Sequence, residues 1–283
     1  MSEPLVYLNG RFVPHSEATV HVEDRGLLFA DGIYEVVRVY GGRPFALDEH
    51  FHRLERSAAY MRLPLPAPVD ELKTAALELL SRSGLQEATI YVQVTRGGGV
   101  PRNHAFPKEP RPTVFMIARE ARPPAPELKE RGASLITVPD RRWHLCHVKS
   151  IGLFLNCLAK QEALEAGADD ALFVRGAVVT EASSANFMAV WGGELRTHPE
   201  GEWILSGITR QVVLTLAREA GIPVVERPFT VEELSLADEA FITGTTTEVL
   251  PVVRIDGRPV GSGRPGPVTR RLEEMYAARV RGR

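Results

Sequence analysis

Two periods of apolar and polar positions run through the chain, and the switches between them outline its elements. Residues 4–22 alternate apolar with polar, as half-buried strands do, and Asn9-Gly10 supplies a hairpin turn. Ile33–Tyr40 is rich in β-branched and aromatic residues, with Gly41-Gly42 turning it back. A helical period follows in DEHFHRLERSAAYM. Phe51, Leu54 and Ala58 share one face, Asp48 stands where a cap is expected, and Glu49 lies in the first turn. A second helix is predicted over Val69–Arg82, its face made by Leu72, Ala75, Ala76, Leu79 and Leu80, with Gly84 as its stop. Strands over Ala88–Thr95 and Thr113–Ala118 bracket RGGGVPRNHAFP (96–107), whose glycines and prolines predict a mobile loop.

The run ARPPAPELKE (121–130) concentrates proline and charge and reads as a semi-rigid linker. The expected division is therefore a small N-terminal domain over 1–119, a linker over 120–130, and a larger C-terminal domain over 131–283. In the second half, strands are predicted at Ala133–Val138, Val224–Arg227, Glu239–Thr243 and Val252–Arg254. Hairpins turn at Arg175-Gly176, Gly192-Gly193 and Asp256-Gly257. Helices are predicted at Leu153–Ala166, ended by Gly167, at Thr209–Ala220, ended by Gly221, and at the basic stretch Val268–Arg279. No regular strand–helix–strand rhythm and no internal repeat runs through this order, so the expected fold class is α+β rather than a doubly wound sheet.

Composition narrows the functional classes. The chain has 283 residues, 44% hydrophobic and 25% charged, as in an ordinary globular protein with room for two cores. Its net charge of −2 lacks the basic excess of a nucleic-acid binder. No apolar run approaches the ~20 residues of a membrane helix, and MSEPLVYLNG lacks the basic and apolar regions of a secretory signal. The two cysteines, Cys146 and Cys157, give no disulfide framework. A cytoplasmic protein is expected. His144 and His147 have no further ligands at metal spacing, so no metal is expected.

Candidate chemistry gathers in the second half. Lys149 lies just before an apolar, helix-forming run, and Glu181 ends an apolar strand about thirty residues later. A lysine amine can form a Schiff base with an aldehyde cofactor, and a carboxylate can keep a pyridine nitrogen protonated. Gly207-Ile208-Thr209 opens a helix whose backbone N–H groups and dipole suit a phosphate. Thr245 and Thr246 offer hydroxyls from a second loop. Taken singly, each has a plain alternative: a solvated lysine, a strand-end glutamate, an ordinary helix cap.

The stretches WHLCHVKSIGLFLNCLAKQEA (143–163), VTEASSANF (179–187), LSGITRQVV (205–213) and FITGTTTEVLPV (241–252) together resemble the fold-type IV enzymes that use pyridoxal 5′-phosphate (PLP). These are the branched-chain and D-amino acid aminotransferases, the (R)-amine transaminases and aminodeoxychorismate lyase. Over nearly its whole length the chain is most similar to the bacterial D-amino acid aminotransferases. The resemblance implies a two-domain α+β fold with the cofactor in the interdomain cleft. It implies a Schiff-base role for Lys149, which also carries protons. Glu181 would be the partner of the pyridine nitrogen, Arg53, Ile208, Thr209, Thr245 and Thr246 the phosphate ligands, and Leu205 a wall for the cofactor ring. Tyr34, in GIYEVV, and Arg102 with His104, in PRNHAFP, would contact the substrate, the last two as a trap for its carboxylate. It further implies transamination between D-amino acids and 2-oxo acids, and a homodimer in which this loop reaches the partner's site. The alternatives within the fold are a branched-chain or (R)-amine transaminase and an aminodeoxychorismate-type lyase. Ala182 and Ala185 depart from the family's TEGSSSN stretch, and the second change removes a hydroxyl near the cofactor.

Overall fold

The computed structural model describes residues 3–282. The described chain falls into two compact units, residues 3–122 with Val148–Gly152, and Pro123–His147 with residues 153–282.

The first unit is a six-stranded antiparallel sheet covered by helices. Its elements are β1 (Leu5–Leu8), β2 (Arg11–Pro14), α1 (Arg25–Phe29), β3 (Gly32–Tyr40), β4 (Arg43–Pro44), α2 (Leu47–Tyr60), α3 (Val69–Ser83), β5 (Ala88–Thr95) and β6 (Thr113–Glu120). The strand order is β2-β1-β6-β5-β3-β4. The apolar face of α2 (Phe51, Leu54, Ala58) and that of α3 (Leu72, Ala76, Leu79) are buried with Ile33, Val37, Ile90 and Val92 of the sheet. One predicted detail changes. Asp48 does not cap α2. The N-cap is Ala46 in a left-handed conformation (φ 53°), and Asp48 sits in the first turn, where it bonds Lys73 at 2.9 Å.

The period of β3 places Ile33, Glu35, Val37 and Val39 on the buried face. Glu35 is fully buried there, so its charge needs partners. His50 and Arg53, one helical turn apart on α2, supply them.

The second unit comprises α4 (Pro126–Arg131), β7 (Ala133–Pro139), α5 (Phe154–Glu165), β8 (Asp170–Arg175), β9 (Val178–Ala182), β10 (Asn186–Trp191), β11 (Glu194–Thr197), α6 (Ile208–Glu219), β12 (Val224–Glu226), α7 (Val231–Leu234), β13 (Glu239–Gly244), β14 (Glu248–Ile255), β15 (Arg258–Pro259) and α8 (Pro267–Val280). The strands make one mixed sheet ordered β12-β11-β10-β13-β14-β7-β8-β9, with β15 on β14 and β9 also touching β10. Its β7–β8, β7–β14 and β11–β12 pairs are parallel. A core of Leu135, Leu172, Phe187, Phe229, Ile242 and Val252 lies against it.

The expected division differs in two places. Part of the run read as a linker, Pro126–Arg131, is helical, with proline at its first position. Residues Val148–Gly152, expected within an unbroken second domain, group with the first unit. They extend the sheet beside β3: Ser150 bridges to Ile33, Tyr34 donates its N–H to the Lys149 carbonyl at 3.0 Å, and Ile151 donates to Gly32 at 3.1 Å.

Candidate active site

In the first unit the short segment 148–152 beside β3 sets Lys149. Its backbone N–H donates to Ser57 Oγ at 3.3 Å, and its Nζ lies 4.3 Å from the centroid of the Tyr34 ring. An ammonium over a tyrosine face is held by the ring quadrupole. Tyr34 is itself stacked on Tyr91 (5.6 Å between centroids, 27° between planes), which leans on Phe115. Burial pushes the Tyr91 phenol up to about 12, and its hydroxyl donates to Gln93 at 2.6 Å.

Arg53 stands one turn before Ser57 on α2, so the helix presents both on one face. Its guanidinium is forked onto Glu35, Nε to Oε1 at 2.7 Å and an Nη to Oε2 at 2.8 Å, and His50 Nδ1 lies 2.7 Å from Oε2. Burial raises a carboxyl's pKa. The charge and hydrogen bonds of Arg53, with those of His50, outweigh it and bring Glu35 down to about 2. Burial pushes His50 the other way, toward the neutral ring, with the Lys149 charge adding a little in the same direction. Arg102 and His104 lie in the 96–107 loop, both exposed. They share one neighbour: the Arg102 guanidinium carbon is 4.8 Å from the Phe29 centroid, and the His104 ring meets Phe29 edge-on at 5.4 Å.

In the second unit Glu181 is buried near the end of β9. Its Oε1 accepts from Arg142 at 2.6 Å. Its Oε2 accepts from Asn186 Nδ2 and from the Leu205 N–H, each at 3.0 Å. Burial raises its pKa, and Arg142 only partly opposes this. Arg142 also forks onto Asp140, which takes a second cation, Arg175, at 3.1 Å. Burial raises the Asp140 pKa too, but the Arg142 hydrogen bond and the two cations reverse this and leave it below the usual carboxylate range. Two anions and two cations thus balance, which allows the set to be buried. The neighbouring Cys146 thiol is pushed by burial to about 11, so it stays protonated at neutral pH and is no nucleophile.

Leu205 reaches this cluster through its backbone, since Asn186 also donates to its carbonyl at 2.8 Å. Asn186 then meets the next candidate, the start of α6. Gly207 is the N-cap and, lacking a side chain, makes no side-chain cap bond, while Ile208 and Thr209 behind it are buried. Buried first-turn N–H groups without a cap call for an acceptor. Asn186 pairs across the sheet with Thr243, whose buried Oγ1 has no hydrogen-bond partner among the described residues. Thr245 and Thr246 follow in the turn between β13 and β14, half-buried and exposed respectively. An open helix start, an orphaned hydroxyl and a desolvated carboxylate around one asparagine fit a phosphorylated pyridine.

Sequence reasoning did not single out Glu35, Arg142, Asp140 or Asn186. The signal for Asn186 was present, a lone amide between alanine and a strand core in SSANF. Ser183 is taken up elsewhere, donating to Asp170 at 2.5 Å.

An α+β chain with a lysine amine on an aromatic face, a buried carboxylate and an open, buried helix start has the groups of an enzyme built around a phosphorylated aldehyde cofactor. The family model for class IV amino-transferases matches residues 32–255, and the chain belongs to that family. It is 44% identical over 279 residues to the D-alanine aminotransferase of Staphylococcus haemolyticus, covering 98% of each chain. Among solved structures it is similar to the branched-chain amino acid aminotransferase of Thermobaculum terrenum in its PLP form, at TM-score 0.87 and 30% identity over 99% of this chain and 95% of that one. The Escherichia coli branched-chain amino acid aminotransferase aligns at TM-score 0.91 and 29% identity, covering 98% and 94%. The fold is that of the fold-type IV aminotransferases.

Proposed function

We propose that this class IV aminotransferase uses PLP to pass the amino group of a D-amino acid to a 2-oxo acid. The observation that carries the choice of D-amino acids is the similarity to a D-alanine aminotransferase over almost the full length of both chains. Lys149 would hold the cofactor covalently, Glu181 its ring nitrogen, and Arg53, Ile208, Thr209, Thr245 and Thr246 its phosphate, with Leu205 against the ring. Bound there, the cofactor supplies an electron sink for the carbanion formed at the substrate α-carbon.

The chain's own groups do the rest. Nζ of Lys149 would take the α-proton of the substrate and return one in the reverse half-reaction. Tyr34 keeps that amine over its ring. Arg102 and His104 bind the substrate carboxylate, the arginine as a bidentate fork. Arg142 and Asn186 aim the Glu181 carboxylate, and the Arg142 charge favours its ionised form against the burial that raises its pKa. We propose further that the enzyme is a cytoplasmic homodimer in which the 96–107 loop of one subunit serves the site of its partner. Among the described residues no helix is long and apolar enough to cross a membrane, and both cysteines are free.

The second reading is a branched-chain aminotransferase, favoured by the structural similarity to the Thermobaculum terrenum enzyme. A half-reaction separates the two. Holoenzyme mixed with D-alanine should lose the absorbance of its aldehyde cofactor quickly, and L-leucine should leave it unchanged within the same time. Conversion by L-leucine alone would move the substrate to the branched-chain class.

A further inference from the structure

The loop that carries Arg102 and His104 spans a cavity of about 580 Å³ bordered by Gly98, Pro101, Phe106 and Arg25. It therefore has little core to rest on, and its position depends on polar contacts. Those contacts come from DRGLLFADG (24–32). Arg25, at the start of α1, is 5% exposed. Its Nη1 donates to the carbonyls of Asn103 (2.6 Å) and Ala105 (3.3 Å), and its Nη2 to that of His104 (3.3 Å). One guanidinium thus gathers three consecutive carbonyls of the loop. Its Nε is fixed at 2.8 Å on Asp31.

Asp31 takes a second guanidinium. Arg96 donates to it through Nε at 2.8 Å and Nη2 at 3.1 Å. Arg96 also holds the carbonyls of Met61 and Arg62 at the end of α2. Its flat face lies 3.6 Å from the Phe106 centroid, beneath the far end of the loop. The near end is closed by Gly98, where a Cβ would stand 2.8 Å from the Asp24 backbone nitrogen, so only glycine permits the approach. Phe29, on the last turn of the same α1, has the Arg102 guanidinium and the His104 ring on its surface. Backbone and side chains of the loop are thus both set from one short helix and one carboxylate.

We infer that Arg25, Asp31 and Arg96, with Phe29, form a positioning device that fixes the aim of Arg102 and His104, and through them the enzyme's affinity for a substrate carboxylate. This rests on the reading of Arg102 and His104 as the carboxylate-binding pair. The contacts of the four run to one another, to the loop and to the end of α2, so their effect belongs in substrate binding and not in the chemical step.

The test uses holoenzyme and the D-alanine half-reaction, which yields a half-saturating concentration and a limiting rate. Arg25→Gln is the first variant, because Asp31 keeps Arg96 and is not stranded. Phe29→Leu is the second and Phe29→Tyr its conservative rescue, at a half-buried position. Arg25→Gln and Phe29→Leu should raise the half-saturating concentration about 10-fold or more. The limiting rate should stay within about two-fold, and Phe29→Tyr should restore wild-type values. In a background carrying Arg102→Ala and His104→Ala, which alone should cost about 10- to 100-fold, adding Arg25→Gln should change less than about two-fold. The inference is overturned if Arg25→Gln costs the same factor in both backgrounds, or if it costs nothing while the double alanine variant does. If the double alanine variant itself binds D-alanine like wild type, the reading of the loop falls, and the inference with it.

Discussion

At the scale of single residues, Glu35 shows how a buried charge becomes a pH dependence. A carboxyl brought from 4.5 to about 2 stays ionised in the folded chain well below the pH at which it protonates in the unfolded one. Its contribution, about 3 kcal/mol, is present in full above pH 4.5 and is lost as the pH falls toward 2. Glu35→Gln should therefore remove one component of the acid sensitivity and also cost about 3–5 kcal/mol at neutral pH, since Arg53 and His50 lose their anion. Denaturant unfolding of both proteins at about pH 7 and about pH 3.5 checks this. Equal losses between the two pH values would show that Glu35 is not the group titrating. Glu35 was not legible as a site residue because GIYEVV reads as a plain strand. Only the side of β3 that α2 covers decides whether its carboxylate meets water or Arg53. Lys149 and Glu181 stood out as candidates because the sequence around them resembles a known family, whereas Arg142 and Asn186, which bond Glu181, carry no such local signal and meet it only through the folding of the intervening segments.

At the scale of elements, the longer helices were readable to within a residue or two, while the predicted strand Val252–Arg254 covers only the latter part of β14, which begins at Glu248. The predicted helix Val69–Arg82 runs Val69–Ser83, and the predicted strand Ala88–Thr95 is reproduced. The short elements were missed. Helix α1 has one apolar turn and too little length for a period, yet it holds the 96–107 loop. Helix α7 announced itself only by its capping box, Thr230 with Glu233. The start of α6 was readable to within a residue, and the structure adds a reason for the glycine before it. Gly207 has φ −69°, which any residue can adopt, so the backbone does not demand glycine. Space demands it: a Cβ would stand 1.9 Å from Asn186 Oδ1. Gly207→Ala must displace Asn186, and with it the bonds to Glu181 and to the Leu205 carbonyl. The expected cost is about 1–3 kcal/mol of apoprotein stability, together with a PLP dissociation constant raised about ten-fold or more. Equilibrium titration of apoprotein with PLP, beside a thermal melt, measures both. A stability loss with unchanged PLP affinity would separate this helix start from the phosphate.

At the scale of the whole molecule, the proposed homodimer makes a demand that no single-site variant can test. If the 96–107 loop serves the partner's site, Lys149 and Arg102 of one active site belong to different subunits. A dimer of one Lys149→Ala subunit and one Arg102→Ala subunit then contains one site with both groups intact and one site lacking both. Each parent homodimer is defective, the first without its amine and the second without its carboxylate fork. Unfolding the two parents together and refolding them at equal concentration should recover about a quarter of the wild-type rate at low D-alanine, since half of the dimers are mixed and each carries one intact site. If instead the loop serves its own subunit, every site in the mixture keeps one defect and mixing recovers nothing. The two outcomes differ in kind rather than degree, and parents refolded separately supply the baseline. Recovery would also establish the dimer itself, because complementation between two defective chains requires that they share a site.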